Sequence, residues 1–182
     1  MISSRENTKA YHVNDEERCK KFIKDKDYII ISNDTFWLGN GMYFWDNNSN
    51  ANYWLKEKQR KNSKKKYVKT KSKLYIDEEF LLDLTDEEIV EILEKLWREY
   101  CAKNNEKIRQ PLGVKLDKLF KFFEEEFNQF KVIKGTGYYK NRININKFLP
   151  FDKSHPSICG GLKTIYCARY PDMIVNRMIE EG

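Results

Sequence analysis

The chain has 182 residues and a net charge of +6, a length that suits one domain with a core of its own, needing neither disulfide nor metal to hold it. With 40% hydrophobic residues, 11 Phe, 11 Tyr and 4 Trp, it reads as a globular protein with a heavily charged surface, which excludes a disordered chain. The longest apolar runs, 28–31 and 80–82, are far too short to span a membrane, and the opening MISSRENTK has no apolar stretch behind its charges, so the expectation is a cytoplasmic protein made without an export signal.

Residues 9–13 (KAYHV) read as a short strand. Asn14 then caps a helix, with Glu17 completing a capping box and Cys19, Phe22 and Ile23 forming the apolar stripe. Residues 27–31 (DYIII) predict a buried strand closed by the Ser-Asn-Asp turn at 32–34. Gly39-Asn40-Gly41 is a loop signal ahead of Tyr43-Phe44-Trp45, and a helix follows from near Asn48 and Ser49 with Ala51, Trp54 and Leu55 facing inward.

Residues 67–76 alternate as a strand, whose lysines point to an edge or an exposed face. After the short apolar segment 81–84, Thr85 and Glu88 make a second capping box, and Ile89, Ile92, Leu93, Leu96, Trp97 and Tyr100 repeat at helical spacing. Pro111 and Gly113 interrupt the chain, and Leu116, Leu119, Phe120, Phe123, Phe127 and Phe130 mark one more amphipathic helix. Strands are expected at 130–133, 142–145 and 162–167, and a turn or short helix at 171–179. The class is α+β, in one domain spanning 1–182.

Cysteines at 19, 101, 159 and 167 form no CxxC pair, and His12 and His155 are the only histidines. The expectation is reduced thiols in or near the core and no metal site. Residues 56–73 hold ten Lys or Arg against one Glu, so the rest of the chain is slightly acidic. Such a segment is either a solvated lysine loop or an arm that contacts phosphates, with Lys64, Lys65 and Lys66 at its centre.

Three separated elements carry the chemistry. His12 lies on a strand just before a helix; a glycine-flanked loop delivers Tyr43; Tyr53 follows on the next helix. Flat aromatic faces with a histidine beside them can hold a heteroaromatic ring. Gly41-Met42-Tyr43-Phe44-Trp45-Asp46 followed by Ser49-Asn50-Ala51-Asn52-Tyr53 resembles the Gly-Ile-Tyr-Phe-Ala-Asp … Ser-Lys-Ser-Ala-Asn-Tyr segment of poly(ADP-ribose) polymerases, one residue shorter, and Tyr11-His12 falls where that family has its His-Gly strand. The resemblance covers the first third of the chain.

It implies an ADP-ribosyltransferase-like split antiparallel sheet with flanking helices, and NAD⁺ as the substrate, with no metal. In that reading His12 hydrogen-bonds a ribose hydroxyl. Tyr43 and Tyr53 sandwich the nicotinamide, with Ser49 on its carboxamide and Gly41 in the approach to the tyrosine strand. Val13 stands in place of the family's glycine, its backbone still able to pair with the carboxamide. The family's catalytic glutamate falls in strand 162–167, where Ile165 occupies the equivalent position. An isoleucine there resembles the mono-ADP-ribosylating branch; otherwise the acid is Glu124, Glu125, Asp152 or Asp172. The implied activity is NAD⁺-dependent mono-ADP-ribosyl transfer to a nucleic acid or protein, as in a bacterial toxin or defence effector with an antitoxin partner. The rival is a non-enzymatic nucleic-acid-binding module on a degenerate fold of this kind.

Overall fold

The computed structural model describes residues 6–138 and 162–180. The expected strand at 142–145, together with Asp152, His155 and Cys159, lies outside them. In chain order the elements are β1 (Glu6–Asp15), α1 (Glu16–Lys24), β2 (Ser32–Asp34), β3 (Gly39–Trp45), α2 (Asn48–Lys61), β4 (Tyr67–Ile76), β5 (Leu81–Asp83), α3 (Glu87–Asn104), α4 (Leu112–Phe122), α5 (Glu124–Phe127), β6 (Val132–Tyr138), β7 (Leu162–Ala168) and β8 (Ile174–Ile179). The expected α+β class holds: helices flank a sheet ordered β5-β6-β7-β3-β1-β4-β8, with β2 paired to β3. Only β5 and β6 run parallel among the described strands.

Two apolar clusters sit on opposite faces of the sheet, as the alternation of a strand requires. Met42 and Phe44 of β3, with Tyr166 and Ala168 of β7, pack beneath α1 against Cys19 and Phe22. Cys167 and Ile165 point the other way, onto Trp97 and Cys101 of α3, Leu116 and Leu119 of α4, and Phe127 of α5. Cys19, Cys101 and Cys167 are free and buried, as expected of core thiols. Burial pushes the Cys19 and Cys167 thiols up to about 12, so they stay protonated.

The sheet parts in its middle. β1 pairs along its whole length with β4, yet it meets β3 at a single position, Tyr11 opposite Trp45. The other end of the same β3 edge is taken by β2, with Ser32 opposite Gly41 and Asp34 opposite Gly39. β2 therefore pairs with the part of β3 that β1 leaves as it diverges. Gly113, in the first turn of α4, lets that helix sit against the β2–β3 hairpin. A Cβ there would run into the Asp34 carbonyl and lie 2.9 Å from the Gly39 nitrogen.

Several expected details move. Residues 27–31 are not a strand; the short β2 comes after them. The carbonyls around 22–28 are instead collected by Arg177. Its Nη1 lies 3.0, 2.9 and 3.0 Å from the carbonyl oxygens of Phe22, Asp25 and Tyr28. Its Nη2 donates to Lys26 and Pro171, and its guanidinium stacks 4.4 Å from the Phe22 ring centre. The terminal segment is a single 3₁₀ turn followed by β8, not a helix. In β8, Asn176 (φ 53°) and Arg177 stand opposite the single Ser72 of β4, a bulge that puts Arg177 on the α1 face. β4 is not an edge but runs between β1 and β8. Its Lys69 is buried, held by Asn52 Oδ1 at 2.7 Å, by Asn48 Oδ1 and by Glu180 at 2.9 Å.

The helix starts shift by one residue. Asp15 caps α1 by accepting from Arg18 N, and Asp86 caps α3, in place of Asn14 and Thr85. Both prefer the carboxylate neighbour, which also complements the helix dipole. The aromatic run after Pro111 breaks at Phe123 (φ −109°, ψ 52°) into α4 and α5, where one helix was expected. Ile92 faces solvent, and Cys101 joins Trp97 in the buried stripe of α3.

Candidate functional site

The gap between β1 and β3 opens into a cavity of about 180 Å³. It is lined by His12, Val13 and Asn14 of β1, Ser32 and Asp34 of β2, Trp37 of the following turn, Tyr43 and Trp45 of β3, Trp54 and Lys58 of α2, and Ile165 of β7. Four aromatic side chains, one carboxylate and one ammonium thus converge on a space large enough for a single heteroaromatic ring with part of its substituent. A mainly apolar lining with few fixed polar groups is the usual make-up of a small-molecule site.

His12 spans the gap. Its Nδ1 donates to the Tyr43 carbonyl oxygen at 2.7 Å, which fixes the tautomer and leaves Nε2 as an acceptor for the Asn14 amide at 3.3 Å. Burial pulls the imidazole down from its ordinary 6.5 to about 4; the bond to Tyr43 opposes this and the nearby Lys58 charge adds to it. At neutral pH the ring is uncharged, with Nε2 offered as an acceptor.

A folded pKa below the unfolded one has a definite thermodynamic sign. Between about pH 4 and 6.5 the unfolded chain binds the extra proton, so stability is fully present above 6.5 and declines as pH falls towards 4. The loss amounts to something on the order of 3 kcal/mol. Denaturant midpoints of wild type and His12→Gln over this window are expected to converge as pH falls. Parallel curves would show that the imidazole is not the source.

Tyr43 is anchored at its far end. Its hydroxyl donates to the Gly39 carbonyl at 2.7 Å and accepts from Leu38 N at 2.9 Å. Burial raises the phenol well above its ordinary range, so it remains a donor. The 34–38 turn is tied down a second time by Asp34 Oδ1, which accepts from Phe36 N at 2.8 Å and Trp37 N at 3.0 Å. Trp37 lies over Gly137 of β6, where a Cβ would be 2.6 Å from the indole. Trp45 and Trp54 stack on each other at 5.9 Å with rings 15° apart, forming the wall towards α2.

Of the residues singled out from the sequence, His12, Val13, Tyr43 and Ile165 line this cavity. Gly41, Ser49 and Tyr53 are not among its lining residues. Gly41 packs on β7, where a Cβ would meet Cys167 Sγ and lie 2.8 Å from the Ala168 carbonyl oxygen. Ser49 is exposed in the first turn of α2 and donates to the Asn47 cap at 2.9 Å. Tyr53 lies edge-on to Trp54, and it is Trp54 that faces the cavity. Glu124 and Glu125 are exposed on α5, and Asp172 pairs with Lys131. Lys64, Lys65 and Lys66 occupy the turn between α2 and β4, outside the cavity, with Lys66 paired to Glu16 at 2.9 Å.

Sequence reasoning missed Asn14, Ser32, Asp34, Trp37, Trp45, Trp54 and Lys58. The one signal available for Asp34 was its place in the turn just before the glycine loop. Lys58 was hidden inside a run of like charges. Among the described residues no cluster of histidine, cysteine or acid could hold a metal, and no helix is long and apolar enough to cross a membrane.

No family model matches the chain, and no solved structure does. It is 31% identical over 77 residues to an uncharacterised protein of Methanocaldococcus jannaschii. That match covers 41% of this chain and 36% of the relative, so the chain spans about a third of the protein it resembles.

Proposed function

We propose that the cavity binds NAD⁺ and that the chain is a mono-ADP-ribosyltransferase. One observation carries this reading: His12, Tyr43 and Ile165, three positions that the resemblance to poly(ADP-ribose) polymerases assigns to one site, come from three different strands and line one aromatic cavity. The parting of β1 from β3 supports an ADP-ribosyltransferase-like split sheet as its frame.

In this reading the nicotinamide enters among Trp37, Tyr43, Trp45 and Trp54. The ring faces replace those given to Tyr43 and Tyr53 by sequence, with Trp54 taking the place of Tyr53. The neutral His12 accepts a ribose hydroxyl at Nε2, displacing the long contact to Asn14. Catalysis is then chiefly positioning, together with placement of charge around a sugar that becomes cationic as nicotinamide leaves. β7 offers an isoleucine at the expected acid's position, and the cavity's carboxylate is Asp34. The acceptor is a nucleic acid or a protein, and the lysine turn at 64–66 is the basic surface nearest in sequence to the cavity helix.

Incubation with labelled NAD⁺ and separate pools of RNA, DNA and protein tests the reading. Nicotinamide release with label transferred to one pool is expected. Intact NAD⁺ in every pool would sink it.

A further inference from the structure

The cavity presents one formal charge of each sign. Asp34 stands at the end of β2, its Oδ1 fixed by the backbone N–H groups of Phe36 and Trp37. Lys58 comes from the last turns of α2, half-buried, with its Nζ 5.8 Å from the Tyr67 ring centre. Lys66 and Lys69, its neighbours in the basic segment, are taken up by Glu16 and Glu180. Among the described residues no carboxylate pairs with Lys58 within 4.0 Å. Asp15 acts on the ammonium only from beyond that distance, and burial outweighs its attraction, holding the Lys58 ammonium below its ordinary range; a bound anion offsets that cost.

We infer that the cavity fixes the polarity of its ligand, with a phosphate oxygen on Lys58 and a cationic ring held beside Asp34. The inference rests on reading the cavity as an NAD⁺ site, since NAD⁺ joins a pyridinium cation to a pyrophosphate. Indole and phenol faces attract a cationic ring, which adds to the carboxylate's pull at the Trp37 and Tyr43 end. Reversing the ligand would set phosphate against Asp34 and the pyridinium against Lys58, two like-charge contacts in a partly desolvated site. The donor geometry suits a point charge: a lysine ammonium takes a phosphate oxygen without needing a planar partner.

Three probes separate the two ends: NAD⁺, ADP-ribose, which keeps the pyrophosphate and lacks the ring, and nicotinamide, which has the neutral ring alone. Binding is measured by calorimetry on the full chain. Lys58→Gln is expected to weaken NAD⁺ and ADP-ribose about tenfold or more, the loss of one charge-assisted bond, and to leave nicotinamide unchanged. Lys58→Arg should retain most of the affinity. Asp34→Asn should weaken NAD⁺ and spare ADP-ribose. Melting temperatures of the three variants, compared with wild type, separate lost binding from lost fold.

Equal affinity of wild type and a folded Lys58→Gln for ADP-ribose overturns the inference while leaving the NAD⁺ reading standing. Wild type that binds ADP-ribose through Lys58 but neither NAD⁺ nor nicotinamide overturns the transferase reading and keeps the anion site. A wild type that binds none of the three overturns both.

Discussion

Tyr43→Ala is expected to slow nicotinamide release from NAD⁺ about a hundredfold. Two effects combine. The ring is one wall of the cavity, and an aromatic contact of this kind contributes about 0.5–1.5 kcal/mol. That alone is a few-fold. The larger part comes from the hydroxyl, which joins the Leu38 N–H to the Gly39 carbonyl and so closes the turn that carries Trp37. Without it both groups lose their partner and Trp37 shifts; a misplacement of about 1 Å at a reacting centre is enough for a hundredfold. Tyr43→Phe divides the two. It keeps the face and drops the hydroxyl, so an intermediate rate is expected. Wild-type turnover by Tyr43→Ala would exclude this cavity as the reaction site.

Arg177→Ala is expected to destabilise the fold by about 3 kcal/mol and lower Tm by about 10 °C. The guanidinium approaches six carbonyl oxygens, and Nη1 alone approaches three with only two hydrogens, so one is shared. The carbonyls of Asp25 and Pro171 also accept from Tyr28 N and Ile174 N, whereas those of Lys26 and Tyr28 lie in a stretch without strand or helix, and no other donor is described for them. Removing the side chain leaves them to water in a partly buried place and strips a cation from the Phe22 face. Arg177→Lys should recover less than half of the loss, since an ammonium has three donors and no plane. Urea midpoints for the three proteins measure this directly. A value for Arg177→Ala within about 0.5 kcal/mol of wild type would mean that the loop finds other partners.

What the sequence displayed were periodicities. The stripe from Ile89 to Tyr100 and the alternation of 67–76 appear as α3 and β4 because both patterns are long. What it did not display were contacts that depend on distant partners. DYIII has the composition of a strand, yet no neighbouring strand takes up its backbone; Arg177, some 150 positions away, collects carbonyls at its start. The lysines of β4 looked like an edge because the partners of Lys69, the Asn48 and Asn52 amides that accept its hydrogens and the Glu180 carboxylate that neutralises it, come from elsewhere in the chain.

The same holds for the site. His12, Val13, Tyr43 and Ile165 were legible through order and spacing. The inward turn of Trp54 was legible in the helical spacing, but the resemblance assigned the ring to its neighbour Tyr53, which helical rotation turns outward (36% exposed). Asp34 could not be read as a cavity residue without knowing that β2 borrows the edge of β3 from β1.

That borrowed edge has a thermodynamic consequence. Among the described residues the two parts of the sheet share one paired backbone position, Tyr11 with Trp45, and two side-chain bonds, His12 to the Tyr43 carbonyl and Tyr166 with Thr8. A molecule lodged in the cavity touches β1 on one side and β3 and β7 on the other, so it adds a cross-link to the few that the chain supplies along this seam. Its occupancy is then felt as cohesion: at a hundred times its dissociation constant, a ligand adds about 2.7 kcal/mol to the folded state. Amide hydrogens at the open ends of β1 and β3, which face the seam, should become the most strongly protected as it fills.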